Sequence, residues 1–189
     1  PFLLGAFVGN WLAGRPGSVT LVGALVGLTV VALTVVSGAA FLRLKSRGRL
    51  RAALRPYAER AVVAYLLAVV ATLAALAATT PRLVPRLRSA PTLALVVLSV
   101  ALAGGYVLPV RRGRDLTALA ASAGLTYGLV VVVARLLYPS LDPVAGLTVR
   151  GAVVSTLPLN LMSVGATLLL PLVATYFVVL YSAFDGPAE

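Results

Sequence analysis

The sequence predicts an all-α fold, a polytopic transmembrane helical bundle, and three observations carry that prediction. Hydrophobic residues make up 60% of the 189-residue chain and charged ones only 11%, against about one quarter charged in a soluble domain. The apolar residues fall in long runs, and a helix rising about 1.5 Å per residue needs about twenty of them to cross a hydrocarbon core about 30 Å thick. The charges gather between those runs, and of 16 basic side chains only Arg135 sits inside one. Strict alternation over about ten residues, the mark of a membrane barrel, occurs nowhere in the chain.

Residues 1–13 are apolar and stop at Gly14, Arg15, Pro16 and Gly17. That is too short for a span and reads as the last turns of a helix, so the chain reads as part of a longer one. The expected architecture is the end of one helix plus five complete spans, forming one integral membrane domain over residues 1–189. Asn10, near the end of the first segment, is expected to satisfy its amide at an interface. Residues 19–42 form the first complete span. Gly23 and Gly27 stand four apart and share a helix face, where a neighbouring backbone can come close. Gly38, Ala39 and Ala40 make a small-residue notch before the charges begin.

Residues 43–60 hold Lys45, Arg43, Arg47, Arg49, Arg51, Arg55 and Arg60 with one acid, Glu59. Loop Lys and Arg mark the cytoplasmic side, so this stretch is expected to be a basic cytoplasmic loop. Anionic lipid headgroups would be drawn to Arg43, Lys45, Arg47, Arg49, Arg51 and Arg55. The next span, residues 61–79, ends where Thr80, Pro81 and Pro85 interrupt helical hydrogen bonding. Residues 81–90 are assigned outside although they carry Arg82, Arg86 and Arg88.

Residues 92–110 return inward, with Gly104 and Gly105 as a close-packing or kinking point, and Arg111, Arg112 and Arg114 mark the inner surface. Residues 116–137 cross outward. Asp115, at the start, faces the positive end of that helix dipole and is expected to form a surface ion pair with the neighbouring arginines. Arg135 lies close enough to Tyr138 and Pro139 for its stem to snorkel to the outer interface; a pair with Asp142 is the alternative. Residues 138–158 form an external loop. The last helix carries Pro171, expected to kink it, and Tyr181 and Phe184, expected in an interfacial aromatic belt. Ten loop cations inside against five outside put the C-terminus in the cytoplasm.

The chain has no cysteine and no histidine, which removes disulfides, thiolate metal sites, Cys or His nucleophiles and the two commonest haem ligands. The five acids, Glu59, Asp115, Asp142, Asp185 and Glu189, all fall outside the expected spans, so a carboxylate proton path of the usual kind is missing. Met162, the one soft ligand, reads as packing. No catalytic, cofactor-binding or metal residue is assigned. The net charge of +11 sits between apolar spans, as the positive-inside rule places it, and does not point to nucleic acid as a partner.

Three separated motifs carry a family resemblance. The first is PFLLGAFVGNWLAGRPG, with Pro1, Leu4, Gly5, Gly9, Asn10, Leu12, Gly14 and Pro16, followed by the notch at Gly38, an aromatic-Leu pair, a basic residue and Gly48 before another basic run. The second is LLYPSLDP, with Tyr138 and Pro139. The third is LNLMSVGATLLLPLVATYFVVLYSAFDG, with Leu159, Asn160, Met162, Leu170, Pro171, Tyr176, Tyr181, Phe184 and Gly186. In this order they resemble subunit II of the cytochrome bd quinol oxidases, at the end of its fourth helix, the fifth helix and its loop, the close of the eighth, and the last.

That resemblance implies a bacterial plasma-membrane complex in which a partner, subunit I, binds haem b and haem d, oxidises quinol and reduces oxygen to water. It implies a subunit II of nine helices, two four-helix bundles and a peripheral helix, without a haem ligand. Its roles would be to stabilise subunit I, to help shape oxygen or proton access, and to hold a structural quinone or lipid. The family's acidic and aromatic motifs belong to its first helices and fall on no residue here. Attachment of a small third subunit stays open, as does the choice of ubiquinol or menaquinol. Two alternatives stand beside this reading. Half of a small secondary transporter would show internal repeats and midplane polar groups, which these spans lack. A non-enzymatic membrane scaffold is permitted by the empty inventory of sites.

Overall fold

The structure, a computed structural model, describes residues 1–15, 19–142, 146–152 and 156–183. It contains α1 (Phe2–Ala13), α2 (Leu21–Lys45), α3 (Gly48–Thr79), a 3-10 turn (Pro81–Leu83) leading into the short α4 (Val84–Leu87), α5 (Ala90–Arg112) and α6 (Asp115–Leu137). Two short antiparallel strands, β1 (Ser140–Asp142) and β2 (Leu147–Thr148), precede α7 (Thr156–Ala183). Helices α2, α3, α5 and α6, with α7, are long and apolar enough to cross a membrane, and α1 is a shorter apolar helix. The chain is thus a multi-pass helical membrane protein.

Local sequence sets the helix ends. Thr20 begins α2 by accepting the Gly23 backbone N–H on its side chain at 2.9 Å, and Gly14 and Gly113 close α1 and α5 in the left-handed conformation at φ 71°, where glycine carries no Cβ penalty. Residues 43–60, expected as a loop, are instead almost wholly helical. Helix α2 runs on to Lys45 and α3 starts at Gly48, leaving only Ser46 and Arg47 as the connection. Arg, Lys, Leu and Ala favour helix, so the charged ends project past the apolar core without unwinding. The 81–90 connection is likewise built of short helical turns.

Four of the long helices close into a ring. Helix α2 packs on α3 and α6, and α5 packs on the same two, while α1 lies along the outside of α2. The buried positions explain this geometry. Along α2 they are Val22, Val26, Thr29, Leu33, Val36, Ala40 and Arg43, alternating steps of four and three. Along α6, Asp115, Ala118, Ser122 and Leu125 follow the same rhythm, continued by the half-buried Leu129 and Val132 to Leu136. A 3.5-residue period keeps one seam of each helix facing its neighbours, as in coiled coils and four-helix bundles.

The inner seam holds two clusters. One joins Leu33, Val36, Ala40, Ala58, Val62, Tyr65, Tyr106, Val110 and Leu125 towards the end bearing Arg43, and the other joins Leu12, Val26, Leu76, Leu83 and Leu136 at the opposite end. Alanines 39, 40, 58 and 61 let α2 and α3 approach closely where they meet. The outward faces stay apolar, with Leu28, Val35, Val63, Val70, Val97 and Val131 all exposed. In lipid such a belt is the expected exterior, because hydrocarbon is as apolar as the side chains. None of the apolar window of α7 is buried against the rest of the fold.

Candidate functional site: an ionic clamp and a glycine interlock

At one end of the bundle a charged residue occupies the seam. Arg43 continues the buried stripe of α2 and is only 4% exposed. Its Nε donates to Asp115 Oδ1 at 3.1 Å, its Nη1 to the Arg51 carbonyl at 3.0 Å and its Nη2 to the Val110 carbonyl at 3.1 Å. Asp115 opens α6 and its side chain is 5% exposed. Its second oxygen accepts from Arg51 Nε at 2.7 Å, while Arg51 Nη2 donates to the Gly113 carbonyl at 2.6 Å. One carboxylate and two guanidiniums therefore tie together α2, α3 and the turn between α5 and α6.

Position favours each partner. A cation near the end of α2 and an anion at the start of α6 both complement their helix dipoles. Burial alone would oppose them, since taking charges out of water costs several kcal/mol per ion unless the pair is close and its remaining donors are used. Three hydrogen bonds from Arg43 and two to Asp115 meet that condition. Beside this clamp Glu59 is bound by Arg55 one turn along α3 and by Arg111 of α5. That second cluster is open to water and screened.

This geometry corrects two expectations. Arg43 is not a lipid-facing loop cation but a core residue, and Asp115 pairs with Arg43 and Arg51, 72 and 64 positions away, rather than at the surface with its neighbours Arg111, Arg112 and Arg114. Arg47, Arg49 and Arg55 are exposed and Lys45 is half-buried, which leaves them able to meet headgroups. The signal for Arg43 and Asp115 lay in the period: each falls in register with the seam residues of its own helix.

The glycines fall into two groups. A Cβ on Gly5 would lie 2.8 Å from Gly27 Cα, and one on Gly9 would lie 2.7 Å from Gly23 Cα, so α1 and α2 meet backbone to backbone. Asn10 lies against Gly23, where a Cβ would strike its Oδ1; that oxygen accepts from the Thr20 hydroxyl at 2.6 Å and the Thr20 N–H at 3.2 Å. Gly38 by contrast has nothing within 4 Å of a built Cβ, and Gly48 is open too, with φ 57°. At Gly38 itself the notch therefore meets none of the described residues, although Ala39 and Ala40 beside it are buried.

The remaining residues singled out from the sequence lie apart from these contacts. Tyr138 and Pro139, joined by a cis peptide bond, are exposed where β1 begins. Asn160, Pro171 and Tyr176 lie on the exposed faces of α7, where Tyr176, Phe177 and Tyr181 form a short aromatic row with centroids 5.7 and 6.2 Å apart. Arg135 is exposed on α6. The side chain of Asp142 and the whole of Phe184 fall outside the described residues. Two cross-helix bonds escaped the sequence reading: Tyr106 donates its hydroxyl to the Val36 carbonyl at 3.0 Å, and Thr29 and Thr72 pair at 3.1 Å.

The chain lacks the two commonest axial ligands of a haem. Axial ligation takes His, Cys, Met or Tyr, and the chain has neither His nor Cys. Its one methionine, Met162, is 73% exposed on α7, and both buried tyrosines belong to the helix seam. No group of three metal-ligating side chains occurs among the described residues.

Fold and site together define a polytopic membrane protein, a helical bundle locked by internal ion pairs. The particular family follows from comparison with known proteins. Residues 1–184 match the family of cytochrome bd terminal oxidase subunit II, and the chain belongs to it. No curated protein matches the chain. The family is that of a respiratory oxidoreductase complex which carries haem.

Proposed function

We propose that this chain works as the haem-free subunit II of a quinol:oxygen oxidoreductase, holding the haem-bearing subunit I in place and bounding its access paths while quinol is oxidised and oxygen reduced to water. The observation that carries the reading is the pairing of family membership across residues 1–184 with a donor set that lacks His and Cys. A subunit of a haem enzyme with such a set contributes structure and lets its partner do the electron transfer. The exposed apolar faces of α7 and of the outer bundle offer area for that partner and for lipid.

The orientation proposed puts the clamp end of the bundle, with Arg43, Arg51 and Arg111, at the cytoplasmic surface of a bacterial plasma membrane, and the C-terminus on the same side. Haem b and haem d belong to subunit I in this reading, and quinol is the substrate of the complex. The test is to purify the complex through a tag on the full-length form of this subunit and measure quinol-dependent oxygen uptake. Uptake, with a haem-bearing membrane polypeptide in the eluate, supports the reading. An eluate that contains the tagged subunit at full yield but neither haem nor uptake contradicts it.

A further inference from the structure

At the end of the bundle away from the clamp, two arginines do something that the positive-inside rule leaves unexplained. Arg82 Nη2 donates to the Leu12 carbonyl at 3.1 Å and Arg86 Nη1 donates to the Leu136 carbonyl at 2.8 Å. Leu12 and Leu136 lie in the last turns of α1 and α6, so each guanidinium caps a helix C-terminus. Both also line a recess of about 140 Å³, together with Leu12, Leu83, Leu136, Leu137, Ser140 and Gly146. One water takes about 30 Å³, so a tetrahedral oxyanion and its first substituents have room.

The charge balance favours an anion. Two guanidiniums bring two positive charges, and each helix end offsets about half of one. Counted over these two guanidiniums and two helix ends, the balance is about one positive charge. Among the described side chains, which do not include that of Asp142, no carboxylate pairs with either arginine. Each guanidinium has five N–H donors and directs one at a helix carbonyl. Four leucines are among the lining residues and give a lipid glycerol and upper acyl chain apolar contacts.

The geometry points to a binding site for the phosphate of an anionic phospholipid, held between Arg82 and Arg86 where α1, α4 and α6 meet at the membrane surface. The bound phosphodiester would accept from both guanidiniums and complete the closure of the bundle at this end. This accounts for two cations on the side assigned outside.

The test is native mass spectrometry of the full-length subunit in its native complex, stripped of loosely held lipid and titrated with phosphatidylglycerol or phosphatidylcholine. Loss of two charge-assisted contacts is expected to lower retention of the tightest phosphatidylglycerol by about tenfold or more in the Arg82→Gln/Arg86→Gln variant. Ser140→Leu, which leaves both caps in place and fills the recess, should lower it as well and decides the matter if the double variant fails to assemble. Unchanged retention in the variant that assembles, or equal retention of phosphatidylcholine, would overturn the proposal. Displacement of the lipid by inorganic phosphate alone would also overturn it, in favour of a free-phosphate site.

Discussion

The Nε of Arg43 stands 3.1 Å from Oδ1 of Asp115, joining the last turn of α2 to the first of α6 inside the bundle seam. Replacing Asp115 by Ala leaves the Arg43 guanidinium buried and unneutralised, a change that costs about 3–5 kcal/mol when one partner of a buried pair is removed. Asp115→Ala should therefore lower the melting temperature of the detergent-solubilised complex sharply. Asp115→Asn, which keeps an acceptor oxygen, should fall between it and the parent. Glu59→Gln, in the water-exposed cluster, should scarcely move the transition. Equal effects for Asp115→Ala and Glu59→Gln would show that the clamp carries no special load.

The glycines supply a matched pair. Gly9→Ala puts a methyl 2.7 Å from the Gly23 Cα, where the obstacle is backbone and cannot rotate away. Helices α1 and α2 must separate, and overpacking of this kind costs about 1–3 kcal/mol. Gly38→Ala meets nothing within 4 Å of the new methyl and removes a mid-helix glycine, worth about 0.5–1 kcal/mol in favour of the variant. Thermal unfolding of the two variants should move in opposite directions.

Tyr106→Phe tests the bond from α5 to the Val36 carbonyl. A net hydrogen bond of this type contributes about 0.5–1.5 kcal/mol, so a modest loss of thermal stability is expected, with the complex still assembling. Tyr106→Ala, which also empties a fully buried ring site, should cost about 3–5 kcal/mol and reduce the yield of complex.

Sidedness can be read by labelling, because the chain is free of cysteine. A single cysteine placed as Arg47→Cys, in the connection between α2 and α3, should resist a membrane-impermeant maleimide in intact cells and react after lysis. Gly151→Cys, in the connection between α6 and α7, should react in both. The opposite pattern would invert the proposed orientation.

Much of this fold was legible in the sequence, and the reason is specific to membranes. Satisfying every backbone group inside lipid leaves helices as the one solution for runs such as residues 19–42 and 92–110. The spans were placed to within a few residues, except that α3 begins at Gly48 rather than near residue 61. Charge density suggested a loop there, yet Arg and Ala propagate a helix as readily as they solvate a surface. Gly23 and Gly27 were legible as a contact face because their spacing puts them on one side of the helix, while only the neighbouring helix shows that a backbone does approach there.

The clamp was harder to see. Apolar residues cover both the lipid face and the seam of α2, so hydropathy hardly distinguishes them, and a lone Arg43 at the edge of the run looks like a topological marker. Its partner lies 72 positions on, beyond any local pattern. The 3.5-residue register shared by Leu33, Val36, Ala40 and Arg43, and by Asp115, Ala118 and Ser122, was the available clue. Arg82 and Arg86 were likewise read by sidedness alone, while their contacts run to the ends of α1 and α6.

The most direct measurement is a reduced-minus-oxidised spectrum of the full-length, tagged subunit purified from membranes that make haem d, with and without its subunit I. Haem b and haem d bands that appear only when subunit I is present, together with comparable yields of the tagged subunit, are the expected result. Haem bands on this subunit alone, or a colourless preparation in which subunit I is synthesised but does not copurify, would contradict a haem-free structural role within the oxidase.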